Sequence, residues 1–304
     1  MTLLVAGWVA LDEIETPFAK VEQSLGGSAT CAALAAAQFT DVRLLAAIGE
    51  DFPESERSKL GGRGIDLAGL TMIPGGTTSR WGARYHYDMN TRDTLYTHLG
   101  VNDGWRPVLP EGWEDSSTAF MAADDPAAQQ GLLAALAAPR ATMVDTIQIY
   151  IDMAREGVEA AMRRADFASM NETEARQLTG MASIAKAGRA LVEAGTRAAL
   201  IKLGEYGAVY VSEDDYFVAP GYPLEEVVDP TGAGDTFAGA FLGYLDTTAA
   251  ISAREIRRAI IYGSTVASFA VEGFGPSRLL ELTREEVEAR YREFRTLTHF
   301  EEGD

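Results

Sequence analysis

The stretch that decides the fold is Glu226-Val-Val-Asp-Pro-Thr-Gly-Ala-Gly-Asp-Thr-Phe-Ala-Gly-Ala-Phe-Leu-Gly-Tyr-Leu245. Its two valines end an extended run, which Pro230, Gly232 and Gly234 then interrupt. The residues from Thr236 to Leu245 are apolar or small on nearly every side, which is typical of a fully buried helix. The stretch therefore predicts a strand, a glycine-containing turn and a buried helix in immediate succession.

The start of this predicted helix has the chemistry of an anion site. The first amide N–H groups of a helix have no partner within it, and the helix dipole places partial positive charge there. Gly232, Ala233 and Gly234 have little or no side chain, so an anion can approach these donors closely. A carboxylate beside a bound anion is electrostatically unfavourable, and Asp235 at this position therefore indicates a proton acceptor. Alternatively, Asp235 or Asp229 merely caps the helix.

Length and composition limit the class of protein. The chain has 304 residues, 47% of them hydrophobic, which is enough for one large α/β domain or a domain with a small appendage. No apolar run is long enough to span a bilayer, and the first residues lack the basic charge of a signal peptide, so we expect a cytoplasmic protein. A net charge of −19 argues against nucleic-acid and anionic-membrane partners. The single cysteine, Cys31, excludes an internal disulfide.

Apolar strand-like runs alternate with helical segments along most of the chain. This alternation predicts a right-handed parallel α/β sheet, in which ligands bind beyond the carboxyl ends of the strands. The predicted strands are Leu3–Ala6, Val42–Ile48, Thr118–Ala122, Ala141–Val144, Phe167–Met170, Ala198–Leu203 and Ala208–Val211, with helices at Pro126–Ala137 and Tyr150–Arg164 between them.

Two further segments have unusual composition. Gly26-Gly-Ser-Ala-Thr-Cys31 opens a helix predicted from Ala32 to Phe39, and its glycines allow backbone N–H groups to face a small molecule. A plain buried helix after a glycine turn is the alternative. From Thr77 to Asn102, β-branched and aromatic residues alternate with polar ones, which predicts two antiparallel strands. The polar residues of this segment are too numerous for an ordinary buried ribbon.

Asp229-Pro-Thr-Gly-Ala-Gly-Asp235 resembles the Asp-Thr-x-Gly-Ala-Gly-Asp signature of the ribokinase-like carbohydrate kinases, also called the phosphofructokinase B type. The resemblance implies one domain over residues 1–304: a three-layer α/β/α sandwich with a mostly parallel central sheet. A small β-sheet lid is implied from about residues 10–20 and 77–102; a solvated hairpin is the alternative. The implied activity is transfer of the γ-phosphoryl group of ATP to a sugar hydroxyl, with Asp235 as the base and Gly232, Ala233 and Gly234 as the anion hole.

The resemblance also implies roles for other residues. The acceptor would contact Asp12, Gly26, Gly27, Ser28, Cys31 and Arg84, although an Asn usually stands in the family where Cys31 stands here. The nucleotide would lie against Asn171, Lys202, Gly204, Gly207, Thr231 and Ser264. Glu174 would hold Mg²⁺ through water, and Asp229 would serve a monovalent cation such as K⁺. Asn171 and Glu174 also have the spacing of a capping box, and Lys202 could equally be a surface lysine.

The acceptor itself stays open between two small-molecule classes. A nucleoside would need apolar stacking for its base, which Trp81, Tyr85 and Tyr87 could supply. A kinase fold kept only for ligand sensing is a third hypothesis, and a homodimer through the lid is also implied by the resemblance. The chain lacks the P-loop, the nucleophile elbow and the complete Gly-x-Gly-x-x-Gly fingerprint, which argues against a P-loop kinase, an esterase and a dinucleotide oxidoreductase.

Overall fold

The computed structural model of the chain describes residues 1–299, which form fourteen strands and ten α-helices. The strands are β1 (Thr2–Ala6), β2 (Ala10–Glu15), β3 (Lys20–Gly26), β4 (Asp41–Gly49), β5 (Ile65–Asp66), β6 (Leu70–Ile73), β7 (Ser79–Tyr85), β8 (Arg92–His98), β9 (Thr118–Met121), β10 (Ala141–Asp145), β11 (Phe167–Asn171), β12 (Ala198–Lys202), β13 (Ala208–Ser212) and β14 (Tyr216–Ala219). The helices are α1 (Ser28–Ala36), α2 (Glu54–Gly62), α3 (Pro126–Ala135), α4 (Gln148–Arg164), α5 (Glu172–Thr179), α6 (Ile184–Glu193), α7 (Ala233–Asp246), α8 (Ala253–Ala270), α9 (Ser277–Glu281) and α10 (Arg284–Thr298).

The main sheet is mostly parallel and has the order β14-β13-β12-β11-β10-β9-β1-β4-β5, with β6 also paired to β4. From β12 to β5 every neighbouring pair is parallel, and β13 and β14 add an antiparallel edge. Helices connect the parallel strands, because a parallel pair needs a long crossover. The predicted parallel sheet is thus confirmed.

Helices cover both faces of this sheet, which gives two hydrophobic cores. In β1, Leu3 and Val5 face the core formed with α1, α7 and α8, whereas Leu4 and Ala6 face the core formed with α3 to α6. Burial on both faces explains why such strands are continuous apolar runs rather than alternating ones. The three-layer α/β/α sandwich is therefore confirmed.

Helix α7, which follows the glycine-containing turn at Asp229–Gly232, packs unusually close to α1. A Cβ atom at Gly239 of α7 would lie 2.1 Å from the carbonyl oxygen of Ala32 in α1, so only glycine fits between the two backbones. The small residues of α1 and α7 thus bring the first turns of both helices to the same place. The site described below depends on this approach.

A second sheet forms the lid and has the order β3-β2-β7-β8. It is mixed: β2 and β7 are parallel, and the pairs β2–β3 and β7–β8 are antiparallel. The two antiparallel strands predicted from Thr77 to Asn102 are confirmed as β7 and β8. Strand β3 was not predicted as a strand, because most of Lys20–Gly26 is polar and faces solvent, which leaves no alternating apolar signal.

Helix α1 begins earlier than the sequence predicted. The prediction placed its start at Ala32, whereas the helix runs Ser28–Ala36. Gly27 precedes it with a φ of 92°, a backbone conformation that favours glycine, so the turn is completed before Ser28. Within residues 1–299, no helix is both long and apolar enough to cross a membrane.

Candidate active site

The carboxyl ends of β10, β11 and β12 bring three polar side chains to one edge of the main sheet. Asp145 ends β10, Asn171 ends β11 and Lys202 ends β12. Lys202 forms an ion pair with Asp145, and only 15% and 4% of the two side chains are exposed. Lys202 is therefore a cleft residue and not a surface lysine. Open α/β sheets bind ligands at this edge.

Glu174 is held beside this edge by the first turn of α5. The Asn171 side chain accepts a hydrogen bond from the Glu174 backbone N–H at 2.9 Å, and the Glu174 carboxylate accepts one from the Asn171 N–H at 2.8 Å. This is the capping box that the spacing predicted. Burial raises the pKa of Glu174 to about 7, and the charge of Asp145 adds to the increase. The cap thus fixes a carboxyl group that water does not solvate freely.

The first turn of α7 faces the same edge. Gly232 is the N-cap with a φ of 75°, and a Cβ atom there would lie 2.4 Å from the Cys31 sulfur. Glycine is needed at this point both for its conformation and for the contact with α1. A Cβ atom at Gly234 would lie 3.1 Å from the Lys202 Nζ atom, so the ammonium group is next to the helix start. The Ala233 N–H donates to the Pro230 carbonyl at 3.3 Å, which leaves it less available to a ligand than its neighbours.

Asp235 lies in that first turn, partly open to the cleft. Burial raises its pKa to about 6, and Asp145 adds to the increase, while Lys202, the Asp235 amide and Arg92 oppose it. Burial alone would lower the pKa of Lys202, but the charges of Asp145, Asp235 and Glu174 reverse that effect and raise it. Three carboxyl groups therefore share one ammonium group at the start of α7.

The donor set fits a hydrated Mg²⁺ ion. Asp145 and Glu174 provide hard oxygen ligands, and a divalent cation would relieve the part of their mutual repulsion that Lys202 does not offset. Within residues 1–299, no three acidic, histidine or cysteine side chains converge closely enough to enclose an ion. A Mg²⁺ ion that keeps several waters does not require such a cage.

Asp12 of β2 lies across the cleft from Asp235. Its side chain is 5% exposed, and its Oδ1 atom has no hydrogen-bond partner within residues 1–299. Burial raises its pKa to about 7; the Gly27 amide opposes this, while Asp229 and Asp235 add to it. A Cβ atom at Gly26 would lie 2.0 Å from the Asp12 Oδ2 atom, so glycine at this position makes room for the carboxyl group. An enclosed, unpaired carboxyl oxygen is suited to a ligand hydroxyl.

The start of α1 completes this half of the cleft. The Ser28 hydroxyl is 3.4 Å from the Trp8 backbone nitrogen, and Gly27 packs on the Trp8 carbonyl group. Cys31 is buried between the two halves of the site: burial raises the pKa of its thiol, and Asp235 and Asp12 add to the increase. The residues predicted for the acceptor from Asp12 to Cys31 are thus brought together.

Asp229 stabilises the glycine-containing turn that precedes α7. One of its carboxylate oxygens accepts the Thr231 N–H and the other accepts the Gly275 N–H, both at 2.9 Å. The side chain is fully buried, which raises its pKa, while the Thr231 and Gly275 hydrogen bonds oppose that increase. Asp229 therefore connects the turn before α7 to the loop between α8 and α9. It does not cap α7, whose N-cap is Gly232.

The lid sheet is closed over the cleft. The Tyr85 hydroxyl is 3.1 Å from the Thr231 hydroxyl, and Phe274 packs against the apolar cluster of Ile14, Ala83 and Tyr85. At the other end of the lid, Asn90 touches Gly204: a Cβ atom there would lie 2.7 Å from the Asn90 Oδ1 atom. The lid thus contacts both the α7 turn and the loop after β12.

Some of the predicted site residues lie beside the cleft or away from it. Gly204 and Gly207 lie in the turn between β12 and β13, beside Lys202, and Gly207 has a φ of 99°. Ser264 is buried in α8, which packs against α7. Within residues 1–299, no hydrogen bond joins the Ser264 side chain to Lys202 or to the carboxyl groups around it. Arg84 is not brought to the cleft. Its guanidinium pairs with Glu15 at 2.9 Å on the solvent face of the lid, because Arg84 alternates with the inward-facing Ala83 and Tyr85.

Two acidic residues of the site were not predicted. Asp145 was missed because the predicted strand stopped at Val144, one residue short of its end. Asp124 follows β9 and accepts a hydrogen bond from the Trp8 indole N–H at 3.0 Å, and burial raises its pKa. Both follow apolar strands at the carboxyl edge of the sheet, and that position was the signal that could have identified them.

Carboxyl groups in front of an anion-binding helix start, beneath a closed β lid, form the kind of site expected of a phosphoryl-transfer enzyme. The model of the pfkB family carbohydrate kinases matches residues 10–282, so the chain belongs to this family. It is a kinase that transfers a phosphoryl group to an alcohol acceptor. The fold is the ribokinase-like α/β fold.

Named relatives act on both nucleosides and sugars. A cytidine kinase of Thermococcus kodakarensis is 32% identical over 254 residues, which cover 80% of this chain and 88% of that protein. A nucleoside kinase structure from Methanocaldococcus jannaschii superposes with a TM-score of 0.78 at 20% identity, covering 96% of this chain and 98% of that one. A ribokinase II type structure from E. coli, solved with ATP and Mg²⁺, has a TM-score of 0.77 at 18% identity, covering 96% and 99%.

Proposed function

We propose that this kinase transfers the γ-phosphoryl group of ATP to a hydroxyl of a nucleoside, with a free sugar as the second candidate. The observation that carries the proposal is the pair of carboxyl groups on opposite sides of one closed cleft. Asp12 offers an unpaired buried oxygen for the acceptor, and Asp235 lies at the helix start where the phosphoryl group would bind. The raised pKa values of both groups are typical of groups that exchange protons with a substrate.

In this mechanism the acceptor hydroxyl lies between Asp12 and Asp235. Asp235 accepts the hydroxyl proton while the oxygen attacks the phosphorus atom and the bond to the leaving ADP breaks. The N–H groups of the first α7 turn and the Lys202 ammonium stabilise the charge on the transferred group. Mg²⁺, bound through water by Glu174 and Asp145, would neutralise part of the triphosphate charge. The closed lid excludes the bulk water that would otherwise compete with the acceptor.

Features of the lid and one relative support a nucleoside. Trp81 is paired in register with Asp12, so the two side chains project from the same face of the lid sheet. An indole ring beside the acceptor carboxyl group can stack on a base. Tyr85 faces inward, but Tyr87 is 82% exposed and packs on Phe18, so it is not part of this surface. The cytidine kinase relative supports the same class, whereas the ribokinase II type structure supports the sugar.

The test measures ADP release from MgATP against two acceptor panels. One contains cytidine, uridine, adenosine and inosine, and the other contains pentoses, hexoses, keto-deoxy acids and inositol. We expect the highest kcat/KM with a nucleoside. A best acceptor among the free sugars would reject the nucleoside proposal and keep the kinase. Transfer to any acceptor would remove the hypothesis of a fold kept only for ligand sensing.

Asp235→Asn tests the base in the same assay. The substitution keeps the shape of the side chain but removes the proton acceptor, so we expect kcat to fall by about a hundred- to ten-thousand-fold. Affinity for ATP should stay within a few-fold, because the nucleotide contacts are unchanged. Turnover close to that of the unmodified enzyme would show that another group accepts the proton.

Four further predictions stay proposals. They are a K⁺ requirement served by Asp229, a homodimer through the lid, a cytoplasmic location and a single domain over residues 1–304 with the lid inserted in it. The solvent face of the lid carries the ion pairs Lys20–Glu13 and Arg84–Glu15. A dimer contact there would therefore be polar rather than apolar.

A further inference from the structure

A cavity of about 230 Å³ lies between α4, α5 and α6. Its walls are mostly apolar and include Met162 of α4, Leu178 of α5 and Leu191 of α6, which are all buried. An apolar cavity of about 150 Å³ is enough to bind benzene. This cavity therefore has room for one aromatic or branched apolar group with a small polar group attached.

One polar group in the wall of the cavity has no partner. Thr196, which follows α6, lines the cavity and is 4% exposed. Its backbone N–H donates to the Leu191 carbonyl, but within residues 1–299 its hydroxyl forms no hydrogen bond. Unlike the unpaired hydroxyls of Thr30 and Thr236, it is not sealed inside the core. Because buried polar groups are normally hydrogen-bonded, this hydroxyl is a ready partner for a molecule in the cavity.

The rim of the cavity has an excess of positive charge. Glu159 and Arg163 of α4 both line it and are 3.7 Å apart, but Glu159 also accepts a hydrogen bond from Arg155 at 3.0 Å. Two guanidinium groups therefore share one carboxylate. Within the part of the chain that the structure describes, Arg163 donates no hydrogen bond, so its donors are available to an anion.

Arg163 and Thr196 meet at the same end of the cavity. Thr196 directly follows Gly195, and a Cβ atom at Gly195 would lie 3.2 Å from the Arg163 Cδ atom. The stem of the arginine thus passes the turn that carries the free hydroxyl. A guanidinium and a hydroxyl at one end of an apolar cavity are complementary to a carboxylate on an apolar body.

Helix α5 connects this cavity to the active site. Leu178 and Thr179 in its last turn line the cavity, whereas Glu174 in its first turn is the carboxyl group beside the expected Mg²⁺ position. The helix has eight residues, so its order depends on packing more than on its own propensity. A molecule that fills the cavity beneath the last turn would therefore also make the first turn more rigid.

We propose that this cavity binds a small monocarboxylic acid with an aromatic or branched apolar body, and that this binding strengthens the binding of the Mg²⁺-nucleotide through α5. The apolar body packs on Met162, Leu178 and Leu191. The carboxylate accepts hydrogen bonds from Arg163 and from the Thr196 hydroxyl. The cavity is separate from the cleft in which phosphoryl transfer is proposed.

Phenylacetate is the test ligand. Phenylacetamide lacks its charge and acetate lacks its apolar body, so the two are matched comparison compounds. Binding is followed by NMR with isotope-labelled methionine methyl groups: Met162 reports on the cavity, and Met143, in the other hydrophobic core, is the internal reference. We expect a saturable shift of the Met162 signal with a Kd of about 1 mM, the range for a ligand of about ten non-hydrogen atoms. Phenylacetamide should bind at least about 10-fold more weakly, and acetate should not bind measurably.

Four variants locate the site. Arg163→Gln should raise the Kd of phenylacetate about 10-fold, and Thr196→Val, which keeps the shape of the side chain, about threefold. Ala190→Phe places a ring in the cavity from a half-buried position in its wall and should abolish binding. Arg164→Gln is the matched control: Arg164 is the next residue of α4 and is exposed outside the cavity, so the Kd should change by less than about twofold. Circular dichroism verifies that each variant is folded.

Calorimetry tests the connection through α5. We expect saturating phenylacetate to lower the Kd of Mg²⁺-bound AMP-PNP, a non-hydrolysable ATP analogue, about threefold. By reciprocity, AMP-PNP should lower the Kd of phenylacetate by the same factor. In Glu174→Gln the factor should be lost while phenylacetate still binds, because the effect acts through the Glu174 carboxyl group.

The site would be overturned if the Met162 signal did not shift at phenylacetate concentrations about 50 times the expected Kd, or if Arg163→Gln and Thr196→Val left the Kd unchanged. Displacement of phenylacetate by AMP-PNP would place it in the active-site cleft and would overturn the site as well. An unchanged Kd of AMP-PNP would overturn the connection through α5. None of these measurements uses an acceptor, so a failure to transfer phosphate to any acceptor would reject the proposed function alone.

Discussion

Asp12→Asn should make the ligand-free protein more stable at pH 8 and reduce its activity. The Asp12 carboxyl group is 5% exposed and its Oδ1 atom is unpaired, so the charged form is poorly solvated in the folded state. Asparagine has nearly the same shape, and its side-chain oxygen can still accept the Gly27 N–H that faces the carboxyl group. The substitution thus removes the buried charge and keeps the local packing.

The size of the effect follows from the pKa shift. The pKa of Asp12 is raised from 3.8 to about 7 in the folded protein. At pH 8 the side chain is ionised in both states, and the shift corresponds to a destabilisation of about 4 kcal/mol. Between pH 7 and pH 4 the folded state binds the proton and the unfolded state does not, so the unmodified protein gains stability as the pH falls. The advantage of Asp12→Asn should therefore decrease to less than about 2 kcal/mol at pH 5.

Thermal and urea unfolding of both proteins at pH 5, 6, 7 and 8 measure this advantage directly. At roughly 2 °C for each kcal/mol, Asp12→Asn should raise the Tm by up to about 8 °C at pH 8 and by less than half of that at pH 5. Asp214→Asn, on the exposed turn between β13 and β14, is the control and should change the stability by less than about 0.5 kcal/mol. An advantage of the same size at pH 5 and pH 8, or none at pH 8, would refute the reasoning.

Two further predictions concern the same carboxyl groups. Because Asp235 must lose its proton to act as a base and its pKa is raised to about 6, kcat/KM should rise with pH through a midpoint between about 6 and 7; a profile that is flat from pH 5 to pH 9 would contradict this. Gly26→Ala would place a Cβ atom 2.0 Å from the Asp12 Oδ2 atom, so the KM of the acceptor should rise at least about 10-fold while the Kd of AMP-PNP changes little. Gly62→Ala, where an added Cβ atom meets nothing within 4 Å, should leave both constants unchanged, and equal effects of the two substitutions would exclude the steric explanation.

The strands of the main sheet could be predicted because each one is a run of consecutive apolar residues, which is visible without knowing its neighbours in space. Leu3–Ala6 and Ala198–Ile201 are apolar throughout, since helices cover both faces of the sheet at these strands. Strand β3 could not be predicted in this way, because its partner in the lid is β2 and most of its side chains remain in solvent. The start of α1 was misplaced for a related reason: the turn at Gly27 depends on its contact with the Trp8 carbonyl, which lies in another element.

In the site, too, some residues could be predicted from local motifs, whereas others depend on how separate elements pack together. Asp12, Asp235, Glu174 and Lys202 were predicted from motifs as site residues, and the structure brings them to one cleft. Arg84 was predicted to contact the acceptor, but only the register of β7 and β8 shows that it faces solvent and pairs with Glu15. The pairing of Lys202 with Asp145 likewise joins residues 57 positions apart.

The sequence by itself determined the turn and the buried helix within residues 229–245 and the parallel α/β sheet, because each depends on residues that are neighbours along the chain. The strand predicted at Val227 and Val228 was wrong: the structure has no strand there, and the N–H groups of Val228 and Asp229 donate to the Val271 carbonyl at the end of α8 rather than to a neighbouring strand. Only the tertiary structure decided which carboxyl groups share Lys202, which oxygen of Asp12 is left without a partner and which face of the lid carries Arg92. These features depend on distances between separate elements, and the charge and burial that set the pKa values arise only when those elements pack together.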